Sequence, residues 1–320
     1  MPNVNVPVKS ATGSGVSVQP TIAIRDSSFL HLDAAIIFVC QSVEIQDNYN
    51  ENTTDVAKLN QKSTYRACVL GALFTGVAFL ESAINEVFLD AVESVPEDLR
   101  TRKGRRRAFT YDEMIPYATV KSLDRSVISS MARMWLQQQM IESWDNAFPC
   151  LFNFLDGEKR NHTRPNLARS WPTFDKYQLA LYLNSKRRFE SQPFGKAHPM
   201  KEDIFALINF RDYLIHFKPG WSVSAPKGGA IAPVGDDTAA IKSQVETLIS
   251  KDKGRPPGGY SHEKDLLASG FPHDCLSAAF ANAALQSILH FDDQFSKRMG
   301  IESARSRFKL EPRLSTVPPL

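Results

Sequence analysis

Cysteine is scarce in this chain: four residues, Cys40, Cys68, Cys150 and Cys275, lie far apart with no C-x-x-C pair. No histidine stands near them at a metal-ligand spacing, so neither a disulfide framework nor a zinc site is expected. Buried thiols in a reducing compartment are the expectation instead. An excess of one charge sign is also lacking. A net charge of +3 over 320 residues excludes a polycation that coats nucleic acid, so any such affinity must reside in local clusters. The first twenty residues lack the basic-then-apolar layout of a signal peptide. The most apolar stretch, Ala67 to Leu80, contains two glycines and stops at Glu81, and its fourteen residues fall short of a bilayer span. A cytoplasmic protein without membrane contact is expected. P-loop, G-x-G-x-x-G, H-E-x-x-H and G-x-S-x-G patterns are all missing, which removes standard nucleotide-triphosphate, dinucleotide, zincin and serine-hydrolase chemistry. Neither a cofactor nor a metal is expected.

What is present is a globular composition, 42% hydrophobic and 23% charged, sufficient for a sizeable core. Residues 1–28 read as a flexible arm, 29–298 as a single helical domain, and 299–320 as a frayed tail. Asp26, Ser27 and Ser28 are candidate caps for a helix over the apolar run Phe29 to Val43, and 44–60 reads as a polar loop. From about Thr64 to Val95, Leu70, Leu73, Phe74, Val77, Leu80, Ile84, Val87, Phe88 and Ala91 keep the three-and-four spacing of an amphipathic helix. Its length suits a bundle. Helical patterns recur over Asp124–Trp144, Asp175–Phe189, Lys201–Phe217, Ala239–Lys251 and His273–Phe295. Residues 100–172 read as an insertion or irregular connection. No hairpin signal or internal repeat interrupts the series. The fold class is all-α.

Two features carry candidate chemistry. Residues 100–107 place six cations in eight positions, Arg105 and Arg106 among them. They are either a nucleic-acid contact or a solvated basic loop. The second feature is Arg211 to His216. An Arg followed by four to six residues and then His occurs three times here, so the spacing alone selects nothing. Arg25–His31 straddles a helix start and Arg255–His262 lies in a Pro-Gly loop, whereas Arg211–His216 lies inside a helix apolar nearly all round. That helix should be buried, and charged groups in a buried helix are costly unless paired or used. Asn209, Asp212 and His216 fall along one stripe. Arg211 projects roughly 140° from His216. The bland alternative pairs Arg211 with Glu81 or Glu86 and buries His216 in the core.

The stretch Leu207–Trp221 resembles the L-x-x-L-R-N-x-L-x-H-F-x-P-x-W segment of the HEPN superfamily, whose motif is Rx4-6H. Phe79-Leu80-Glu81-Ser82-Ala83-Ile84-Asn85-Glu86 is similar to that family's E-x-x-I-N-E segment, and Asp175-Lys176-Tyr177 to a recurring helix start. The resemblance covers about residues 65–295. It implies a helical bundle, often a homodimer, with the two motifs facing a shared cleft, and, in catalytic members, metal-independent RNA cleavage, many of them in toxin–antitoxin or phage-defence systems. RNA and a protein antitoxin are the implied partners. By the same resemblance His216 moves a proton at the 2′-hydroxyl or the leaving 5′-oxygen. Arg211 neutralises the phosphoryl oxygens, and Asp212 orients the imidazole. Asn209, Glu81, Asn85, Arg105 and Arg106 become supporting substrate contacts. The family most often has Asn where this chain has Asp212; a carboxylate there repels phosphate while holding the histidine tautomer.

Overall fold

The computed structural model describes residues 27–100, 110–136, 172–185, 199–216, 236–250, 266–267, 271–310 and 314. Most of these are helical and none lies in a strand. The all-α expectation holds for them.

The first two helices form an antiparallel pair. α1 spans Ser27–Asp47 and α2 spans Asp55–Glu93. Thr54 caps α2, its Oγ1 accepting from the Ala57 N–H at 3.4 Å. At 39 residues α2 is about 58 Å long at 1.5 Å per residue. Its apolar side chains recur on one stripe, and Tyr65, Val69, Leu73, Leu80, Ile84 and Phe88 are fully buried along it. Glycine permits the closest approaches. A Cβ on Gly71 would stand 2.7 Å from the Phe38 ring of α1, and one on Gly76 would stand 2.6 Å from Ile288.

Ile288 belongs to α8 (Ala278–Met299), the other central helix. Ser277 caps it, accepting from the Phe280 N–H at 3.1 Å, and Gly300 ends it in the left-handed region at φ 74°. α8 runs parallel to α2. The Ala278 N–H donates to Tyr65 Oη at 2.7 Å near the start of both, and Ile288 meets Gly76 further along. Around this pair lie α3 (Glu97–Arg100), α4 (Arg125–Leu136), α5 (Thr173–Ser185), α6 (Pro199–Ile215), α7 (Asp236–Ser250) and α9 (Ala304–Phe308). In α5, Tyr177 Oη donates to the Leu80 carbonyl at 2.8 Å, and its ring sits edge-on to Phe291 and Phe295. α6 runs antiparallel to α8: Phe205 contacts Phe174, which reaches Phe291, while Phe210 packs edge-on against Phe280.

Several boundaries differ from the sequence reading. α1 continues through 44–47 and α2 begins at Asp55, so the polar loop shrinks to residues 48–54. Polar side chains there cover the outer faces of two helices. Ser27 and Ser28 are already helical, so residues 27–28 leave the supposed arm. α6 ends at Ile215, and only its first part is buried: Ile204, Leu207 and Phe210 are covered, Tyr213 and Leu214 partly so, and Ile215 is exposed. The expectation of a wholly buried motif helix is therefore corrected.

The supposed tail is also docked as far as the description reaches. Arg305 pairs with Asp293 at 3.0 Å, and Leu310 is fully buried. Finally, α1 and α2 are each long and apolar enough to cross a membrane. The fourteen-residue estimate from Ala67–Leu80 is thus superseded on length. Core helices of large bundles meet the same criterion, and over half of the most apolar window of α2 is buried within the protein. The arm 1–26, the run 101–109 with Arg105 and Arg106, and most of the supposed insertion lie outside the described residues.

Candidate functional site

The last turn of α6 emerges from the core because Phe210 is its final fully buried residue. Beyond it the helix rests on the turn before α8. Phe271 lies 5.7 Å from Phe210 and 5.1 Å from Tyr213, centroid to centroid. Arg211, Asp212 and His216 occupy this emerging end. His216 stands just past the helix, its N–H donating to the Asp212 carbonyl at 2.9 Å, and it is exposed. A core-bound histidine, the bland alternative, is not what the fold makes.

Arg211 does not reach α2. Its Nε and Nη2 donate to Asp212 Oδ1 at 2.9 and 2.6 Å, an ion pair between neighbours whose side chains are 24% and 48% exposed. Asn209 is half-buried one turn earlier. Asp212 thus takes up the cation expected to face a phosphate, and the helix terminus adds carbonyl oxygens on the same side.

Glu86, the other proposed partner of Arg211, is engaged elsewhere. Its Oε1 accepts from the Ser28 N–H at 2.9 Å and from Ser27 Oγ at 3.3 Å, and its Oε2 from Ser28 Oγ at 2.6 Å. Arg307 Nη2 lies 3.7 Å from Oε2. This carboxylate caps α1 from α2, where the helix dipole favours an anion. Asp26–Ser28 held the cap signal; the acceptor itself is 58 residues away.

The second resemblance segment forms a separate cluster. Lys176 of α5, 2% exposed, donates from Nζ to Asn85 Oδ1 at 2.9 Å and lies 5.6 Å above the Trp135 ring. Burial lowers its pKa, and the exposed carboxylate of Glu81 pulls it partly back. Lys176 was given no role by sequence reasoning, though a lysine in so apolar a helix was the available signal.

The two clusters are not brought together within one chain. Arg211 follows Phe210, which meets α8 at Phe280, whereas Lys176 precedes Tyr177, which meets α8 at Phe291 and Phe295. From 280 to 291 is about 16 Å along the helix. Hence Glu81 and Asn85 do not share a cleft with His216 in the described chain, and that expectation is corrected.

Nearer to α6, α7 and the 271–275 turn supply further polar groups. Lys242 Nζ bonds Asp274 Oδ2 at 3.1 Å and lies 3.8 Å from Glu246. The hydrogen bond to Asp274, reinforced by its charge, raises the lysine pKa. Cys275, 3% exposed, is pushed up to about 12 by burial and by its contact with the Asp274 carboxylate, which makes it a poor nucleophile. His273 is exposed on the same turn. Among the described residues no group of three His, Cys, Asp or Glu side chains is placed to hold a metal ion. No protein-family model, curated protein or solved structure matches this chain.

Proposed function

We propose that this chain is a HEPN-like, metal-independent endoribonuclease that cleaves RNA by attack of the 2′-hydroxyl. The observation that carries the reading is the solvent-exposed imidazole of His216 at the end of α6, one turn beyond the Arg211–Asp212 pair. Among side chains, imidazole is the one whose ordinary pKa lies nearest neutrality, which suits a proton-transfer group. A homodimer, a toxin or phage-defence role and an antitoxin partner accompany this reading and rest on the motif resemblance alone, and a cytoplasmic setting is proposed with it from the first twenty residues, which lack a signal-peptide layout. The test is cleavage of end-labelled single-stranded and structured RNA in the presence of EDTA. Wild-type protein is expected to release fragments ending in 2′,3′-cyclic phosphate, and His216→Ala to cleave about 10²-fold more slowly or worse. Equal rates for the two proteins sink the proposal.

A second reading, a non-catalytic helical module that binds nucleotide, RNA or a protein, is favoured by one observation. Arg211 directs both Nε and Nη2 to Asp212, which leaves little of its charge for a scissile phosphate. Its signature is binding, without cleavage, that survives His216→Ala but needs Arg211 or the basic run 100–107.

A further inference from the structure

Strand cleavage by 2′-hydroxyl attack needs two proton transfers. The O2′–P bond forms as the 2′-hydroxyl proton leaves, and the P–O5′ bond breaks as the departing oxygen takes a proton. A single imidazole on one chain leaves one of these transfers to water. We propose that His273 is the second proton-transfer group of the Arg211–His216 site. This inference rests on the ribonuclease reading given above.

The argument is one of placement. The Tyr213–Phe271 ring contact, at 5.1 Å, fixes the end of α6 against the turn that precedes α8. His216 follows Tyr213 by three residues and His273 follows Phe271 by two, so both histidines leave the same contact, and both are exposed. Of the other described histidines, His290 lies beside Phe291, about 16 Å further along α8 by the same rise per residue, and His31 belongs to α1.

Other groups around the turn are already engaged. Asp274 holds Lys242, Lys242 also faces Glu246, Cys275 contacts Asp274, and Arg211 holds Asp212. The Lys242–Asp274 pair anchors the turn to α7, and among the described residues around this turn the two imidazoles are the groups left to take and give protons. In the cycle, one neutral imidazole accepts the 2′-hydroxyl proton and one imidazolium gives a proton to O5′. The products are a 2′,3′-cyclic phosphate and a 5′-hydroxyl. Proton exchange with water restores both rings, and no other reactant is consumed.

The test uses full-length protein, an RNA oligonucleotide, and uridine 3′-(p-nitrophenyl phosphate), whose leaving group needs no proton. His273→Ala is expected to slow RNA cleavage by about 10²-fold or more while leaving the melting temperature unchanged. It should also remove one limb of a bell-shaped pH–rate profile. The aryl ester should restore the rate of one of the two variants, His216→Ala or His273→Ala, and so show which ring is the acid. His290→Ala serves as a control that keeps the wild-type rate. RNA cleavage by His273→Ala at the wild-type rate overturns the inference and leaves the His216 reading standing. So does restoration of neither variant by the aryl ester. Failure of wild-type protein to cleave overturns both.

Discussion

At the scale of single residues, the most consequential detail is a carboxylate beside a guanidinium. Asp212 sits where its charge cancels that of Arg211 at 2.6 Å. Removing the charge while keeping the shape should free the cation. Under the ribonuclease reading Asp212→Asn is expected to raise RNA cleavage roughly fivefold, the order of one partly exposed ion pair. Single-turnover rates would show it, and a fall instead would mean that Asp212 holds the His216 ring.

A second carboxylate works against the fold. Asp292, 5% exposed, is pushed up to about 6 by burial. The Ala304 N–H it accepts at 2.7 Å and the nearby Arg307 pull in the other direction. Its folded pKa lies above the unfolded value of 3.8, so its contribution is full below about 4 and is lost as the pH rises through about 6. The difference corresponds to about 3 kcal/mol. Asp292→Asn should flatten the decline of stability with pH over that window, measured by urea unfolding at a series of pH values. A persisting slope would assign the decline to another group.

Thiols give a third residue-scale expectation. Burial raises the pKa of Cys68 and, more strongly, that of Cys275. Alkylation of native protein at neutral pH should therefore label Cys40, which is partly exposed, and spare those two. Peptide mapping by mass spectrometry reads this directly.

Among the elements, the close approach of α1 to α2 is the most sensitive to substitution. Gly71→Ala gains helix propensity of up to about 1 kcal/mol yet drives a Cβ into the root of the Phe38 ring, where Cγ lies 2.9 Å away. Overpacking of that kind costs about 1–3 kcal/mol, so the variant should be less stable. Gly76→Ala meets only the terminal Cδ1 of Ile288, which can swing aside, and should be close to neutral. Parallel chemical denaturation of the two variants checks the contrast.

The helices themselves were largely legible, because α2, α5, α6, α7 and α8 each write a three-and-four apolar pattern. Their ends were not. The start of α2 at Asp55 and the end of α1 at Asp47 lie in polar sequence with no apolar stripe to mark them. The buried reading of α6 failed for a related reason. Tyr213, Leu214 and Ile215 are apolar but stand beyond the reach of α8, and no single helix pattern reveals where its neighbour stops. The site was legible only as a segment. That Arg211 turns to Asp212 instead of Glu86 is a tertiary fact: Glu86 caps the start of α1 beside Arg307, away from the Phe280 end of α8 where Phe210 packs.

Over the whole molecule, the bundle is organised by two parallel core helices, α2 and α8, with the first and last described helices meeting beside them. Arg307 lies 3.5 Å from Ser28 Oγ, across 279 residues of chain, and the Phe29 and Phe308 rings are 5.1 Å apart. On a ribosome adding 5–20 residues per second, α1 therefore waits roughly 15–55 seconds for its last neighbour to be made. During that interval the Leu30 and Ile37 side of α1, already exposed in the finished fold, is joined by the uncovered face of Phe29. Of the described helices, the earliest is thus the one with the longest need of a chaperone.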